Sequence, residues 1–490
     1  MPFAKQPEGY NNLTVQQKRQ GVLRVSAVIR IGSDGWRARA REDLTRDNVV
    51  RIAAAAAEIW FQSCEYDTVY VAYDTREGAS ELARAAAETI AAYGMTVRLG
   101  SSYAPMPALS YAIAQDTRAC GGLMVTGSHL PFDYLGIKFR MSDGSSASDD
   151  FNQEVQARID PEPLNEAGSV DAFDYMAPYI DHMLSSVDGK AISDAHLKVV
   201  FDPMFGAAKG YMASVLKQLG VEVRELHATV ATDDTDLRPE PIEPWVDDCE
   251  EAVVGGSAMA GFSCDGDADR IGAVDERGRF VSADIITALV LKHLVTDRGR
   301  SGRVVINLSS SVIIRRVAQA LGCRLTVKPV GFKYIYNELR RGDVLIGGEE
   351  TGGICIPEHL EERDALYIVL MLCELMAQTH KSLGELVDEL EDMYGATAYA
   401  RRDIRLEAEE IESLRLVLPG VNPDTVAGKT PKVVSHMDGL KLEFEDESWM
   451  LLRPSSTEPL VRLSVEANSI EDRDMLLEKG AALARGEQVS

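Results

Sequence analysis

Residues 197–227, LKVVFDPMFGAAKGYMASVLKQLGVEVRELH, contain in one stretch the unit that decides the fold. The stretch begins with a β-branched strand and turns at Asp202. The segment after the turn carries apolar residues at the i, i+3, i+4, i+7 spacing of one helix face: Met212, Val215, Leu216 and Leu219. Gly220 follows, where glycine commonly ends a helix, and a second short strand comes next. This order predicts a βαβ unit with two parallel strands and a right-handed connection.

Two further segments have the same order of elements. They are VYVAYDTREGASELARAAAETIAAYGMTVRLG at 69–100, which turns at Asp74, and GRVVINLSSSVIIRRVAQALGCRLTVKPVG at 302–331, which turns at Asn307. Each continues through an amphipathic helix that ends at a glycine before a second short strand. Three such units in one chain predict three similar α/β domains, each with a mixed sheet.

The last part of the chain differs from these units. From about residue 395 it is richer in charge, and the segments 449–453 and 460–467 have strand character. In the second segment, apolar residues alternate with polar ones, as in a half-buried strand. We therefore expect a smaller α+β domain here, and four domains in all: 1–172, 173–281, 282–394 and 395–490.

The composition is typical of a globular protein, with 490 residues, 45% hydrophobic and 26% charged. The longest apolar run, 365–373, is far short of the roughly 18 residues that span a bilayer. Residues 1–20 show no apolar signal segment, so we expect neither a membrane span nor a secretory signal. The formal net charge of −26 disfavours nucleic acid and anionic membranes as partners. An anionic substrate would require basic side chains concentrated in one cleft.

The seven cysteines are scattered along the chain. None belongs to a CxxC pair. An odd, unpaired set is typical of a reducing compartment, so we expect free thiols and a cytoplasmic location.

The segment SCDGDADRIGAVDERGRF at 263–280 holds three aspartates at alternate positions: Asp265, Asp267 and Asp269. On a tight loop their carboxylates can converge on one hard cation such as Mg²⁺. A calcium-binding EF-hand is disfavoured, because Arg270 stands where that loop needs glycine and the following residues predict a hairpin. Two alternatives stay open. One is an Asp-rich solvated turn, and the other is an aspartyl-phosphate loop of haloacid dehalogenase type, which favours Thr or Val in place of Asp269.

The stretch TGSHLP at 126–131 places a hydroxyl beside an imidazole, at Ser128 and His129. Taken alone it favours an ordinary turn, because Ser, Gly and Pro are common turn residues. A nucleophilic Ser128 is the alternative.

Two more loops combine charge with glycine or hydroxyl residues. In IGGEETGGICIPEHLEERDALYIVL, 346–370, glycines let a ligand approach the backbone, so Glu349 and Thr351 can bind sugar hydroxyls. The alternative is a glycine turn with solvated acids. In the segment LLRPSSTEPLVRLSVEA, 451–467, five side chains suit a phosphate dianion: Arg453, Ser455, Ser456, Thr457 and Arg462. The alternative is an ordinary turn rich in Ser, Thr and Pro.

Basic residues accompany these motifs. Arg37 lies in IRIGSDGWRARA and Lys333 in VKPVGFKYI, and each would be an ordinary surface base in isolation. Other bases lie in or beside the motifs: Lys138, Arg270, Arg363, Arg453 and Arg462. An acidic chain with bases concentrated at its motifs is consistent with an anionic substrate.

Together these motifs resemble those of the α-D-phosphohexomutases, the phosphoglucomutase/phosphomannomutase family. TGSHLPFDYLGIKF resembles the family's TASHNPxxYNGxK segment, DGDADR its DGDxDR metal loop, and GEETGG its GEESG-type sugar loop. RPSSTEPLVR resembles the RxSGTEP phosphate loop, and GSDGWR the N-terminal GTDGxR. The five motifs occur in the family's order. The resemblance implies three similar α/β domains and a different fourth one around a central cleft.

The resemblance also implies a role for each motif. Ser128 would carry the transferred phosphate and join the three aspartates on Mg²⁺, with His129, Lys138 and Arg270 as further catalytic residues. Substrate would be bound by the other motif residues: Glu349, Thr351, Arg37, Lys333, Arg363, Arg453, Ser455, Ser456, Thr457 and Arg462. Such an enzyme interconverts hexose 1-phosphate and hexose 6-phosphate through a bound hexose 1,6-bisphosphate. The GEETGG spelling favours glucose, and mannose stays open.

Five positions depart from the family pattern. Gly127 replaces the usual Ala, and Leu130 and Leu135 replace Asn, so an amide beside the nucleophile is lost. Gly353 stands where some branches have His. Arg363 stands where Lys is usual, and we expect it to supply the missing cationic group.

Two other functions are compatible with the sequence. One is a family member that binds sugar phosphates without turning them over, which Leu130 and Gly353 suggest. The other is a metal-dependent sugar phosphatase built on the same aspartates. The expected partner is a hexose phosphate, and the chain is expected to be a monomer or a homodimer.

Overall fold

The computed structural model describes residues 29–32, 34–40, 42–160, 168–231, 235–455 and 460–487. These residues form three mixed α/β sheets with their helices, and one antiparallel sheet at the C-terminal end. The fold class expected from the repeated units is therefore confirmed.

The first sheet has the spatial order β1–β5–β4–β2–β3–β6. Its strands are β1 (Trp36–Arg39), β2 (Thr68–Tyr73), β3 (Thr96–Gly100), β4 (Ala119–Val125), β5 (Tyr134–Arg140) and β6 (Ser169–Phe173). Its helices are α1 (Arg46–Ser63), α2 (Ala79–Ala91), α3 (Met106–Gln115) and α4 (Asp149–Ala157). Strand β2 is parallel to β3 and β4, whereas β5 is antiparallel to β4 and β1. The predicted unit at 69–100 is thus confirmed as β2, α2 and β3.

The second sheet has the order β11–β10–β9–β7–β8. Its strands are β7 (Lys198–Asp202), β8 (Glu222–Glu225), β9 (Ala260–Cys264), β10 (Ile271–Asp275) and β11 (Phe280–Val281). Its helices are α5 (Met176–Ser185), α6 (Gly189–Asp194), α7 (Tyr211–Gln218) and α8 (Asp247–Gly256). Strand β7 is parallel to β8, and β10 forms a hairpin with β11, as the sequence predicts. Gly220, with φ of +75°, ends α7.

The third sheet has the order β13–β12–β14–β15. Its strands are β12 (Arg303–Asn307), β13 (Leu325–Lys328), β14 (Val344–Gly348) and β15 (Ile354–Cys355). Its helices are α9 (Ala283–Thr296), α10 (Val312–Ala320), α11 (Phe332–Leu339), α12 (Ala365–Thr379) and α13 (Leu383–Tyr394). The predicted parallel pairing within 302–331 is present between β12 and β13.

The fourth sheet is antiparallel, with the order β16–β20–β19–β18–β17. Its strands are β16 (Ala398–Arg405), β17 (Val433–Ser435), β18 (Leu440–Glu443), β19 (Trp449–Pro454) and β20 (Leu460–Ala467). The helices are α14 (Ala408–Val417), a 3₁₀ turn (Leu418–Gly420) and α15 (Ile470–Ala484). Strands β19 and β20 confirm both strands expected near the C-terminus.

One cluster of buried apolar side chains runs through all three α/β units, with Met124, Phe201 and Leu370 among its members. The antiparallel sheet has its own core against α15. The apolar run 365–373 forms the first nine residues of α12 and is buried in the shared core. Among the described residues, no helix is both long and apolar enough to cross a membrane.

The expectation of seven unpaired cysteines is wrong for two of them. Cys64, at the end of α1, and Cys120, in β4, form a disulfide. The remaining five cysteines, all in described parts of the chain, are free. The cysteine pattern therefore does not support a reducing compartment, and the cytoplasmic location stays a prediction.

The loops that carry the motifs follow strand ends. The serine loop (126–133) follows β4, the aspartate loop (265–270) follows β9, and the GEETGG loop begins at Gly348, the last residue of β14. The RPSSTEP segment begins within β19, at Arg453 and Pro454. In parallel sheets, ligands bind outside the carboxyl ends of the strands. The serine, aspartate and GEETGG loops, which are distant in sequence, therefore lie at the strand ends of the three α/β sheets where ligands bind.

Candidate active site

Ser128 lies in the loop between β4 and β5, and its side chain is fully buried. Its hydroxyl donates a hydrogen bond to Asp265 Oδ2 at 3.1 Å and accepts one from Lys138 Nζ at 3.2 Å. His129 Nδ1 is 3.4 Å from the same oxygen. Ser128 has φ of +50°, a left-handed conformation that is unfavourable for a residue with a side chain. The three predicted catalytic residues of this segment thus meet around one hydroxyl.

Asp265, Asp267 and Asp269 occupy the turn between β9 and β10, and all three are fully buried. One carboxylate oxygen of each lies within 4.8 Å of the others. Asp265 Oδ1 accepts hydrogen bonds from the backbone N–H groups of Asp269 and Arg270 at 2.9 and 3.1 Å. Asp267 Oδ1 is buried with no hydrogen-bond partner among the described residues. Three clustered carboxylates with an unpartnered oxygen fit a hard divalent cation such as Mg²⁺.

The charges around these carboxylates are unevenly distributed. Burial and the neighbouring charges of Asp267 and Asp269 raise the pKa of Asp265 well above its usual value. Burial also opposes ionisation of Asp269, but Arg363, Lys138 and Arg270 outweigh it and hold the Asp269 pKa below its usual range. Lys138 Nζ is 2.8 Å from Asp267 and 3.3 Å from Asp269. Two of the three acids therefore lie against a buried ammonium group.

A cavity of about 430 Å³ lies beside this cluster and is lined by residues from all four sheet-forming units of the chain. His129 and Arg270 face it from the serine and aspartate loops. The predicted substrate-binding residues that line it are Lys333, Glu349, Thr351, Arg363, Arg453 and Arg462. The expected concentration of basic side chains in one cleft is thus present.

The GEETGG loop places Glu349 and Thr351 on the cavity wall. Burial raises the pKa of Glu349 to about 7, although Arg363 and Arg270 oppose the shift. Arg363 Nη1 is 3.5 Å from Glu349, and its Nη2 is 2.7 Å from Asp269 Oδ2. The guanidinium also lies over the Phe332 ring, 4.9 Å from the centroid. Arg363 therefore connects the GEETGG loop with the aspartate cluster.

The unusual glycine at 353 is explained by Arg363. A Cβ atom added at Gly353 would lie 2.5 Å from Arg363 Cδ and 2.8 Å from Glu349 Oε2. A side chain at 353 and the present position of Arg363 are thus incompatible. The two departures from the family pattern form one structural pair.

The predicted phosphate loop contributes two arginines to the cavity. Arg453 Nε is 2.9 Å from Asp438, and Arg462 Nε is 3.3 Å from Asp403. The Ser455 amide donates to the Leu460 carbonyl at 2.8 Å. Ser456 and Thr457 lie outside the described residues, so their predicted role is not addressed by the structure.

The other two predicted bases are paired with acids. Arg37 Nη2 is 2.6 Å from Asp34 Oδ2, and it is Asp34 that lines the cavity. Lys333 lines the cavity while its Nζ contacts Asp149 at 2.7 Å.

Sequence reasoning missed several residues that line the cavity: Asp34, Glu240, Arg401 and Asp438. Asp34 is inside the quoted GSDGWR motif and could have been included. Arg401 is in the middle of β16, where no local pattern separates it from neighbouring bases.

Family models of phosphoglucomutase/phosphomannomutase match three parts of the chain: alpha/beta/alpha domain I at 29–166, domain II at 177–278 and domain III at 282–394. The chain is 30% identical over 458 residues to a phosphoglucomutase/phosphomannomutase of Thermococcus kodakarensis, covering 92% of this chain and 97% of the relative. It is also 30% identical to a phosphoglucosamine mutase of Salinispora arenicola, covering 89% and 94%. A crystal structure of a putative phosphomannomutase from Thermus thermophilus superposes with a TM-score of 0.83 at 32% identity, covering 94% of this chain and 100% of that one.

Proposed function

Because the chain belongs to the phosphoglucomutase/phosphomannomutase family, we propose that it interconverts the 1- and 6-phosphates of a hexose, with glucose preferred, through a phosphoserine at Ser128. One observation carries this proposal. The Ser128 hydroxyl lies within hydrogen-bond distance of Asp265 and Lys138, beside a cavity that Glu349 and Arg453 line. The proposed nucleophile, a carboxylate cluster that suits a cation and groups that suit a sugar phosphate are thus adjacent.

In the first half-reaction, the phosphate on Ser128 moves to a free hydroxyl of the bound hexose phosphate. The bond between phosphorus and Ser128 Oγ breaks, a bond to the sugar oxygen forms, and the sugar hydroxyl proton ends on Ser128 Oγ. Lys138 Nζ, 3.2 Å from that oxygen, stabilises the negative charge that develops there. Asp265, Asp267 and Asp269 would hold Mg²⁺, whose positive charge would neutralise phosphate charge during transfer.

In the second half-reaction, the hexose 1,6-bisphosphate has turned in the cavity and returns its other phosphate to Ser128. The sugar must therefore be bound in two orientations. Glu349 and Thr351 can accept and donate hydrogen bonds to hydroxyls in either orientation. Arg453 and Arg462 bind the phosphate that is not reacting, because a guanidinium pairs well with a phosphate dianion.

The substrate preference is tested by a side-by-side assay of glucose, mannose and glucosamine 1-phosphates, each primed with its bisphosphate in the presence of Mg²⁺. The proposal expects conversion to the 6-phosphate, fastest for glucose, with little release of inorganic phosphate. Fastest conversion of another sugar would overturn the glucose preference alone. Binding without conversion would overturn the mutase proposal in favour of a sugar-phosphate-binding protein, and steady phosphate release would do so in favour of a phosphatase.

The variant Ser128→Ala tests the role of the serine, because it removes the oxygen that would carry the phosphate. Ser128 is buried and its hydroxyl contacts only polar groups of the site, so the variant is expected to fold. Conversion of sugar phosphate should be lost, while binding measured by calorimetry should be retained.

A further inference from the structure

Arg76 lies in the turn after β2 and is buried, with only 2% of its side chain exposed. Its guanidinium donates to backbone carbonyls on both sides of the serine loop's turn. Nη2 donates to Ser128 and Leu130 at 2.6 and 2.7 Å, and Nη1 donates to Tyr134 at 2.9 Å and to Pro131. One side chain thus binds four carbonyl groups of the segment that carries the proposed nucleophile.

Asp74, two residues before Arg76, binds the other end of the same loop. Its Oδ2 accepts hydrogen bonds from Thr126 Oγ1 at 2.8 Å and from the Gly127 amide at 3.0 Å. Its Oδ1 accepts from the Arg76 amide at 3.0 Å, and the two side chains form an ion pair at 3.3 Å. Asp74 therefore binds hydrogen-bond donors that precede Ser128, and Arg76 binds the carbonyl groups of Ser128 and of residues that follow it.

This arrangement leaves no room for a side chain at Gly127. A Cβ atom there would lie 2.3 Å from Arg76 Cζ and Nη1, and 2.5 Å from the Tyr134 carbonyl oxygen. The guanidinium thus occupies the space that the family's usual alanine side chain would need. The departure at 127 is explained by the position of Arg76.

The carbonyl of Ser128 lies between Arg76 and the aspartate loop. A Cβ atom at Gly266, between Asp265 and Asp267, would lie 2.5 Å from the Ser128 carbonyl oxygen. This carbonyl is hydrogen-bonded by Arg76 and lies close against Gly266, so a shift of Arg76 would also shift the Ser128 hydroxyl relative to Asp265. A left-handed conformation in a non-glycine residue persists only where surrounding contacts enforce it.

We propose that Asp74 and Arg76 are positioning residues for the serine loop: together they hold Ser128 in its left-handed conformation, with Oγ directed at Asp265 and Lys138. Neither residue contacts the reacting atoms. The inference rests on the proposed phosphoserine function, because positioning matters only if Ser128 reacts.

The test compares Arg76→Lys and Asp74→Asn with the unaltered chain. A lysine keeps the charge but cannot bind four carbonyls as a planar fork does. Misplacement by about 1 Å costs on the order of 100-fold in rate, so kcat should fall by about that factor while KM stays within about threefold. The rate of phosphate transfer from hexose 1,6-bisphosphate to Ser128, measured by intact-protein mass spectrometry, should fall by the same factor as kcat.

The matched control is Arg303→Lys. Arg303 is similarly buried, with 6% of its side chain exposed against 2% for Arg76, and its partners Glu338 and Asp343 are in the third sheet's unit. This variant should lower the melting temperature without changing kcat.

The outcomes separate the two proposals. If the unaltered chain neither takes up phosphate nor converts sugar phosphates, the proposed function fails. If it does both, and Arg76→Lys and Asp74→Asn behave like Arg303→Lys with full kcat and only a lower melting temperature, the positioning role is overturned. If Arg76→Lys does not fold, Asp74→Asn decides in the same way, since it preserves shape and removes the charge.

Discussion

Replacing Gly353 with alanine should impair activity by displacing Arg363. The added Cβ would lie 2.5 Å from Arg363 Cδ, whereas ordinary contact begins at 3.4 Å, so the side chain must retreat by about 1 Å. That movement breaks the 2.7 Å contact between Arg363 Nη2 and Asp269. A hydrogen bond to a charged group contributes about 1.5–3 kcal/mol. We therefore expect kcat/KM to fall by about 10- to 100-fold.

Steady-state assays with the preferred sugar phosphate measure the fall in kcat/KM. The melting temperature of each variant is measured alongside. The double variant of Gly353→Ala with Arg363→Ala isolates the cause, because alanine at 353 should cost little once the arginine is gone. Gly255→Ala is the matched control, since a Cβ at Gly255 in α8 meets nothing within 4 Å. Activity of Gly353→Ala within twofold of the unaltered chain, or an equal loss in the Arg363→Ala background, would refute the reasoning.

Three further predictions follow from the same contacts. Asp267→Asn should weaken Mg²⁺ binding by about 10-fold or more, because one of three buried carboxylate donors is lost. The loss should be seen by calorimetry and as a shift of the Mg²⁺ activation curve to higher concentration. An unchanged curve would place the cation elsewhere. Arg462→Met should raise KM for hexose phosphate by about 10- to 100-fold with little change in kcat, because a charge-assisted bond to the non-reacting phosphate is lost; a loss confined to kcat would contradict this role. The third prediction concerns His227, whose 2.9 Å hydrogen bond to Asp202 raises the pKa of its imidazole. The protonated imidazole therefore stabilises the fold fully below about pH 6.5, and this stabilisation is lost as the pH rises through the folded-state pKa. The difference in melting temperature between the unaltered chain and His227→Gln should therefore shrink from pH 5.5 to pH 9, and a constant difference would count against it.

Local patterns in the sequence predict much of this fold. The βαβ units at 69–100, 197–227 and 302–331 have the periodicity of a strand or helix throughout and a glycine at each helix end, and all three are present. The hairpin after the aspartate loop is equally local, because it depends on a short polar turn between two apolar segments.

Contacts between distant segments could not be predicted in this way. Cys64 and Cys120 are 56 residues apart and carry no spacing signal, so their pairing depends on how α1 packs beside β4. The glycines at 127 and 353 appear in the sequence only as departures from a family pattern. Their reason is an arginine that arrives from another segment, Arg76 in one case and Arg363 in the other.

The most direct test of the central claim is the mass of the protein after incubation with glucose 1,6-bisphosphate and Mg²⁺, followed by peptide mapping. We predict one added phosphate on Ser128, its loss in Ser128→Ala, and its transfer to glucose 1-phosphate at a rate no slower than turnover. Turnover of Ser128→Ala equal to that of the unaltered chain, or phosphate located on another residue, would contradict the account.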